Sequence, residues 1–410
     1  MKHELIVIGG GAAGIMAAIT AKDLGVDVAI IEANDRIGKK ILATGNGRCN
    51  ITNSYATADR YHSENYDFYA PVLNAFDTAS TKIFFNSLGL SLIELEEGKL
   101  YPMSLQASSV LDIFRLTLEE KSIPIYVNNK VKNICISKNS FKIVTVSEEI
   151  FYSTKIILAA GGSAAPKTGS DGNGYSLAKQ LGHNVIKPLP ALVQLKLDHH
   201  SLKALAGIKF DGTVSVFTNG KCLRKEPGEV LFTDYGISGP PILQVSRAAS
   251  YELSKRKNVA LLLDMFPAME EAELIAFLEN HWGTFSYRSV HDSLIGIINK
   301  KLIPIVLKEA KISSIHKPCM DLTWEEKKSL IKLFKSWEFI VSATNIFGDA
   351  QVTAGGVDTL QINSETLESK LVKNLYFAGE IVDVDGDCGG FNLQWAWSSG
   401  YISAKSASVK

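Results

Sequence analysis

Three glycines and one carboxylate near the start of the chain have the spacing of an anion-binding turn. Gly9, Gly11 and Gly14 lie in the run Gly9-Gly10-Gly11-Ala12-Ala13-Gly14, and Glu32 follows 18 residues after Gly14. Glycine at the first position permits a tight turn, at the second lets backbone approach a diphosphate, and at the third lets helix and strand pack closely. A carboxylate at position 32 can accept hydrogen bonds from a ribose diol and would repel a 2′-phosphate. The chemistry these residue types suit is dinucleotide binding.

The surrounding elements have to hold those groups in place. Glu4-Leu5-Ile6-Val7-Ile8 reads as a strand buried on both faces. Ala12, Ile15, Ala18 and Ile19 then recur at helical spacing up to Leu24-Gly25, where Gly25 suits a left-handed helix end. Val26 to Ile31 gives a second apolar strand that delivers Glu32. The helix N-terminus would present free N–H groups and partial positive charge to the diphosphate.

Three later segments favour FAD over NAD. The loop Asp35 to Lys40 and Thr44 to Asn53 is rich in Asn and Gly, which tolerate positive φ, and carries Lys39, Lys40 and Arg48 for phosphate or flavin oxygens. Lys155 to Ala160 reads as a buried strand ending in Gly161-Gly162. Asn374 to Ala378 is another, followed by Gly379-Glu380, the carboxylates Asp383 and Asp385, and Gly389-Gly390-Phe391-Asn392, which opens a helix to about Ala407. Such a second helix N-terminus can hold the N1–C2=O2 edge of an isoalloxazine and stabilise its reduced anion.

Composition narrows the classes. With 43 Lys+Arg against 43 Asp+Glu in 410 residues, no net charge drives the chain onto nucleic acid or an anionic membrane. The five cysteines are scattered without a CxxC pair, so no disulfide framework or zinc site is expected, and a cytoplasmic setting fits. The charge-free run Leu5 to Ala21 holds four glycines and is read as the start of the fold rather than a leader or membrane anchor. The eight histidines lie outside the motifs, and His199-His200 could ligate a metal only with distant partners, so no metal is expected.

Several blocks together resemble a known group: VIGGGAAG (7–14), GKKILATGNGRCNITN (38–53), LYPMSLQASSV (100–110), LAAGGSAAPKTGSDGNGY (158–175), LFTDYGISGPPIL (231–243), VTAGGV (352–357) and YFAGEIVDVDGDCGGFNLQWAWSSG (376–400). The chain is similar to flavoproteins with two dinucleotide-binding folds, and within them to the bacterial family that includes aminoacetone oxidases and 3-dehydro-bile acid Δ4,6-reductases. That resemblance implies an α/β Rossmann-type FAD-binding domain interrupted by an inserted antiparallel β-barrel-like domain and a helical subdomain. It implies non-covalent FAD contacts from Gly9, Gly11, Ala13, Gly14, Glu32, Lys40, Asn46, Gly47, Arg48, Cys49, Asn50, Val131, Ala160, Gly161, Gly379, Glu380, Gly390, Asn392 and Leu393.

The middle of the chain changes character in step with this. Thr213 to Phe217 alternate toward Asn219-Gly220, a type I′ hairpin signal, and the pattern from Ala268 to about Lys335 is helical. The expected division is an FAD-binding domain at 1–190 and 348–410, a β-barrel-like substrate domain at 191–263 and 337–347, and a helical subdomain at 264–336.

No Ser/His/Asp or HExxH pattern is present, and flavin chemistry requires no protein nucleophile. Tyr101 is the leading proton donor, with a packing role as the alternative. Cys49, beside Arg48, is read as a packing thiol, and Trp395 and Trp397 either pack or touch substrate. The expected activity is NAD(P)H-driven reduction of a C=C conjugated to a ketone in a small hydrophobic molecule. The alternatives are an O2-using amine oxidase of the aminoacetone type, a flavin-dependent tRNA-modifying protein and a non-enzymatic sensor. Neither a nucleic-acid nor a membrane partner is expected, and nothing in the sequence speaks to oligomeric state.

Overall fold

The structure is a computed structural model that describes residues 1–137 and 140–409. These divide into two compact units, one of residues 1–190 and 351–410, the other of residues 191–350.

The first unit is built on a seven-stranded sheet. β1 (Lys2–Ile8) leads into α1 (Ala12–Asp23), and β2 (Val28–Ile31) returns parallel beside β1, pairing Leu5 with Val28 and Ile8 with Ile31. Leu5, Ile6, Val7 and Ile8 are all buried because both faces of the strand are covered: Leu5 and Val7 share a core with α1, and Ile6 and Ile8 share another with Tyr61, Phe68 and Leu177. β3 (Ile125–Tyr126) extends the sheet beyond β2. On the other side lie β4 (Val131–Ser137), β5 (Ser140–Thr145) and β6 (Ile150–Leu158), in the order β3-β2-β1-β6-β5-β4.

β6 is long enough for two jobs. Ile150 to Ser153 pair antiparallel with β5, and Ile156 to Leu158 pair parallel with β7 (Leu375–Phe377). That second pairing brings the last part of the chain into the sheet that the first residues began. The terminal helix Phe391–Ala407 then packs on α1, where a side chain on Gly400 would collide with the Ala13 carbonyl oxygen.

The second unit contains a closed antiparallel barrel of Leu195–Asp198, Gly236–Ser238, Lys221–Phe232, Lys209–Thr218, Val259–Asp264 and Trp337–Thr344, in that order around the wall. Strand alternation sends Val214, Val216, Val230, Phe232, Leu261, Leu263, Phe339 and Val341 inward, so side chains fill the interior. The expected hairpin is present: Asn219 and Gly220 both have positive φ (49° and 76°), as a type I′ turn requires. Helices Glu271–Thr284, Ile303–Glu309 and Trp324–Lys335 place Leu274, Leu278, Val306, Leu330 and Phe334 in the same apolar core as the barrel. No helix among the described residues is long and apolar enough to cross a membrane.

Gly400→Val tests the helix crossing. Replacing a mid-helix glycine by valine gains only about 0.3 kcal/mol of helix propensity, and the new Cβ meets the Ala13 carbonyl, backbone that cannot turn aside. Net destabilisation of about 1–3 kcal/mol is expected, read as a lowered Tm of the full-length protein; an unchanged or raised Tm would show that the helices can separate at no cost.

Candidate functional site

The glycines after β1 fall where the spacing requires. Gly9 has φ 107°, a conformation open to glycine, and a Cβ at Gly14 would collide with the Gly9 carbonyl oxygen. A Cβ at Gly11 would meet nothing within 4 Å. Protein therefore crowds the first and third glycines, and open space lies over the second. No side chain caps α1 and no acid stands in its first turn, so its N–H groups stay available to an anion.

Glu32 is buried at the end of β2 and already partly engaged. Its Oε2 accepts from Gly10 N at 2.7 Å, and Oε1 accepts from Asn34 N and Asn34 Nδ2, both at 2.8 Å. Those donors fix the carboxylate and leave Oε2 a lone pair for a diol. Asn34, which also donates to Thr168 O at 3.3 Å, was missed at the sequence level. An amide two residues past the acid is its only sequence signal.

The polar loop is an unusual piece of backbone. Gly45, Asn46, Gly47 and Cys49 all have positive φ (55°, 54°, 83° and 59°). This left-handed backbone folds the loop tightly on itself, with Arg48 N and Cys49 N donating to Gly45 O and Thr44 O, both at 3.1 Å. For Cys49, neither Gly nor Asn, that conformation is strained. Cys49 is fully buried, and desolvation pushes its thiol up to about 12 despite a hydrogen bond with Thr44. It stays a neutral packing group. Asn50 Oδ1 is buried without a hydrogen-bond partner, beside Gly390. An orphaned acceptor here fits a missing donor such as a flavin ring N–H.

Lys39, Lys40 and Arg48 of this region differ in their partners. Lys39 pairs with Asp35 at 2.6 Å, and Lys40 pairs with Glu380 Oε2 at 2.6 Å, both half-buried. Arg48 is exposed and makes no ion pair among the described residues. The Lys40–Glu380 pair joins residues 340 apart in sequence. Glu380 Oε1 also accepts from Thr353 N at 2.9 Å, and Thr353 Oγ1 accepts from Ser163 N and Ala164 N at 2.8 and 2.9 Å. Thr353 thus ties the Gly161-Gly162 turn to the Gly379 turn, a role with no sequence signal.

Gly161 (φ 73°) follows Ala160 just past β6 and lies against Ser170 Oγ. Gly379 (φ 77°) faces Ala13: a Cβ there would come 2.8 Å from the Ala13 side chain. Gly390 (φ 100°) is the residue before the terminal helix and fits against Thr52, where its Cβ would stand 2.6 Å from the carbonyl oxygen. This helix also has no side-chain cap and no acid in its first turn. Two uncapped helix starts, those of α1 and the terminal helix, therefore serve the same unit.

The remaining expected contacts have protein partners of their own. Asn392 spends its side chain on the turn before it, accepting from Gly386 N at 2.8 Å and donating to Gly386 O and Asp387 O at 2.7 and 3.1 Å. Its main chain remains to meet a ligand. Val131 is buried and its carbonyl accepts from Asn173 Nδ2 at 2.9 Å, and Leu393 is partly buried against the core. Trp395 and Trp397 pack: their indole N–H groups donate to Gly379 O (3.1 Å) and Ile51 O (2.8 Å). Asp387 lies 3.1 Å from His62 Nε2 and 3.5 Å from an Arg60 nitrogen, a cluster absent from the sequence reading.

Tyr101 lies on the short strand Lys99–Pro102, half-buried, with its ring edge 3.3 Å from where a Gly45 Cβ would be. It is therefore next to the loop that carries Asn50. Ile93 is its cross-strand partner and Met103 lies two residues on along the same face; both are exposed.

The residues present fit FAD: a diphosphate cradle over Gly11, a fixed acid for ribose, and an orphaned acceptor and uncapped helix for the ring. Known proteins agree. The HI0933-like protein Rossmann domain matches residues 3–406. The 3-dehydro-bile acid delta(4,6)-reductase of Clostridium scindens is 40% identical over 410 residues, 100% of both chains. The ribosomal RNA dihydrouridine synthase of Haemophilus influenzae is 30% identical, covering 99% of this chain and 98% of that protein. Among solved structures, a quinol-fumarate reductase with menaquinol molecules shares the fold with a TM-score of 0.50 at 15% identity, over 100% of this chain and 71% of that one. The chain belongs to the HI0933-like Rossmann family.

Two variants separate cradle from packing. Gly11→Val should yield folded, colourless protein, because its side chain meets no protein atom and fills only the space over the turn; retained 450 nm absorbance would sink the cradle. Cys49→Ser should keep its flavin. Since burial pushes the thiol up to about 12, turnover of the parent protein should show no thiolate limb between about pH 6 and 9.

Proposed function

We propose that this FAD-dependent oxidoreductase of the HI0933-like family saturates a carbon–carbon double bond conjugated to a ketone in a hydrophobic, polycyclic substrate, with NAD(P)H as electron source. The observation that carries the reading is the end-to-end 40% identity to a protein named as a 3-dehydro-bile acid delta(4,6)-reductase. Bound FAD would accept hydride from the nicotinamide and deliver it to the conjugated carbon.

The chain's own residues do the rest. The helix starting at Phe391 would direct partial positive charge toward a bound flavin ring, and Asn50 Oδ1 would accept a hydrogen bond from it. The Lys40–Glu380 pair neutralises itself, so that field is not cancelled by a bare carboxylate. Tyr101 offers its phenol proton to the carbon next to the ketone, and Ile93 and Met103 form an apolar floor on the same face. Gly169 to Gly174 follow a short 3-10 turn rather than a strand and so do not form a second strand–turn–helix fingerprint, which fits a nicotinamide that binds transiently.

A second reading has its own support. The 30% identical relative named as a ribosomal RNA dihydrouridine synthase would also saturate a C=C conjugated to a carbonyl, that of a uracil ring, so RNA remains a candidate substrate despite the neutral charge. The amine-oxidase alternative differs in needing O2 and no nicotinamide.

Anaerobic mixing separates the three. NADH or NADPH should bleach the flavin, and a 3-keto steroid unsaturated at C4 and C6 should restore its colour. Recovery only with a uridine-containing ribosomal RNA fragment would favour RNA modification, and bleaching only by an amine would exclude both reductase readings. Tyr101→Phe should slow recovery by the steroid about 10²-fold while leaving bleaching intact; equal rates would remove Tyr101 from the chemistry.

A further inference from the structure

A second constellation of chemically able side chains lies within the 191–350 unit, outside everything assigned to the flavin. Strand Leu195–Asp198 ends at the adjacent pair His199-His200, and helix Ile303–Glu309 brings Glu309 to it. Glu309 Oε1 is 3.5 Å from His199 Nε2 and 3.1 Å from His200 Nε2, and the three donor atoms lie within 4.8 Å of one another. Two imidazoles thus aim the same nitrogen at one carboxylate oxygen, their rings stacked 4.7 Å apart.

We infer that His199, His200 and Glu309 form a binding site for a divalent transition metal of the zinc class, with water completing the tetrahedron. Metal–nitrogen and metal–oxygen bonds of about 2.0–2.1 Å put neighbouring ligand atoms about 3.3 Å apart, and the two distances to Glu309 bracket that edge. Two imidazoles and a carboxylate are the donor set of borderline metals, not of calcium or magnesium. Side-chain exposures of 12%, 64% and 17% for His199, His200 and Glu309 give an anchored pair with one ligand open to solvent, an entry path for the ion. Asp198 adds negative charge beside His199.

Capture requires one local change. Ser201 N donates to His199 Nδ1 at 3.2 Å, so the ring carries its proton on Nε2. On metal binding that proton moves to Nδ1 and the Ser201 bond is given up, while Ser201 Oγ, 3.1 Å from Glu309 Oε1, remains to orient the carboxylate. The consequence is a clip between the barrel wall and the helical excursion, joining positions 199 and 309.

The test uses untagged full-length flavoprotein, stripped with EDTA and dialysed against buffered Zn2+. Parent protein should take up about one equivalent and gain Tm, while His200→Ala and Glu309→Gln should each lose about tenfold or more in affinity at unchanged flavin content. His291→Ala removes one of a different pair of neighbouring histidines, His291 and His316, and should change nothing. Uptake that is absent in the parent, unaltered in His200→Ala and Glu309→Gln, or lost in His291→Ala would overturn the site.

Discussion

The unit that holds the flavin depends on close backbone approach at the first turn. A side chain at Gly14 would strike the Gly9 carbonyl, one at Gly400 would strike the Ala13 carbonyl, and one at Gly379 would press on the Ala13 side chain. Through these contacts β1, α1, the Gly379 turn and the terminal helix share one small volume. Any bulk there would push apart the two helix starts that have to face the same cofactor. The Rossmann turn is therefore completed by residues from the far end of the chain.

Hydrogen bonds along the terminal helix convert that proximity into one rigid frame. Gln394 accepts from Thr52 and Thr81 hydroxyls at 2.5 and 3.0 Å and donates to Phe76 O at 3.1 Å. Trp397 holds Ile51, Trp395 and Ser399 hold Gly379, and Asn392 holds the Gly386–Asp387 turn. Nearly all these groups are buried, where an unmade hydrogen bond is expensive, so the network specifies one arrangement rather than merely adding stability. The terminal helix, read in sequence as a second helix N-terminus for the flavin ring, also positions the flavin loop through these bonds.

The barrel unit follows another logic. Its wall closes on itself and its helices share its core, so its apolar surface is satisfied within residues 191–350. A self-contained core can be inserted between β6 and β7 without taking apolar surface from the sheet. It also carries the His199, His200 and Glu309 cluster within its own residues.

Much was legible from sequence where local rules act: the strand, turn and helix around Gly9 to Gly14, the hairpin at Asn219-Gly220, and the positive φ of Gly25 and of Gly45, Asn46 and Gly47 in the polar loop. Each of those is decided by a residue's own backbone and its near neighbours. Periodicity and turn chemistry report such things directly. What only the tertiary structure decided are the pairings across hundreds of residues: Lys40 with Glu380, Thr353 with Ser163 and Ala164, His62 with Asp387, Glu309 with the paired histidines. Lys40 read as a free cation, and it is half of an ion pair because β7 pairs beside β6 and carries Glu380 back to the first helices. The partner of a side chain is set by which strands become neighbours, and strand order is a property of the whole packed chain rather than of any local run of residues.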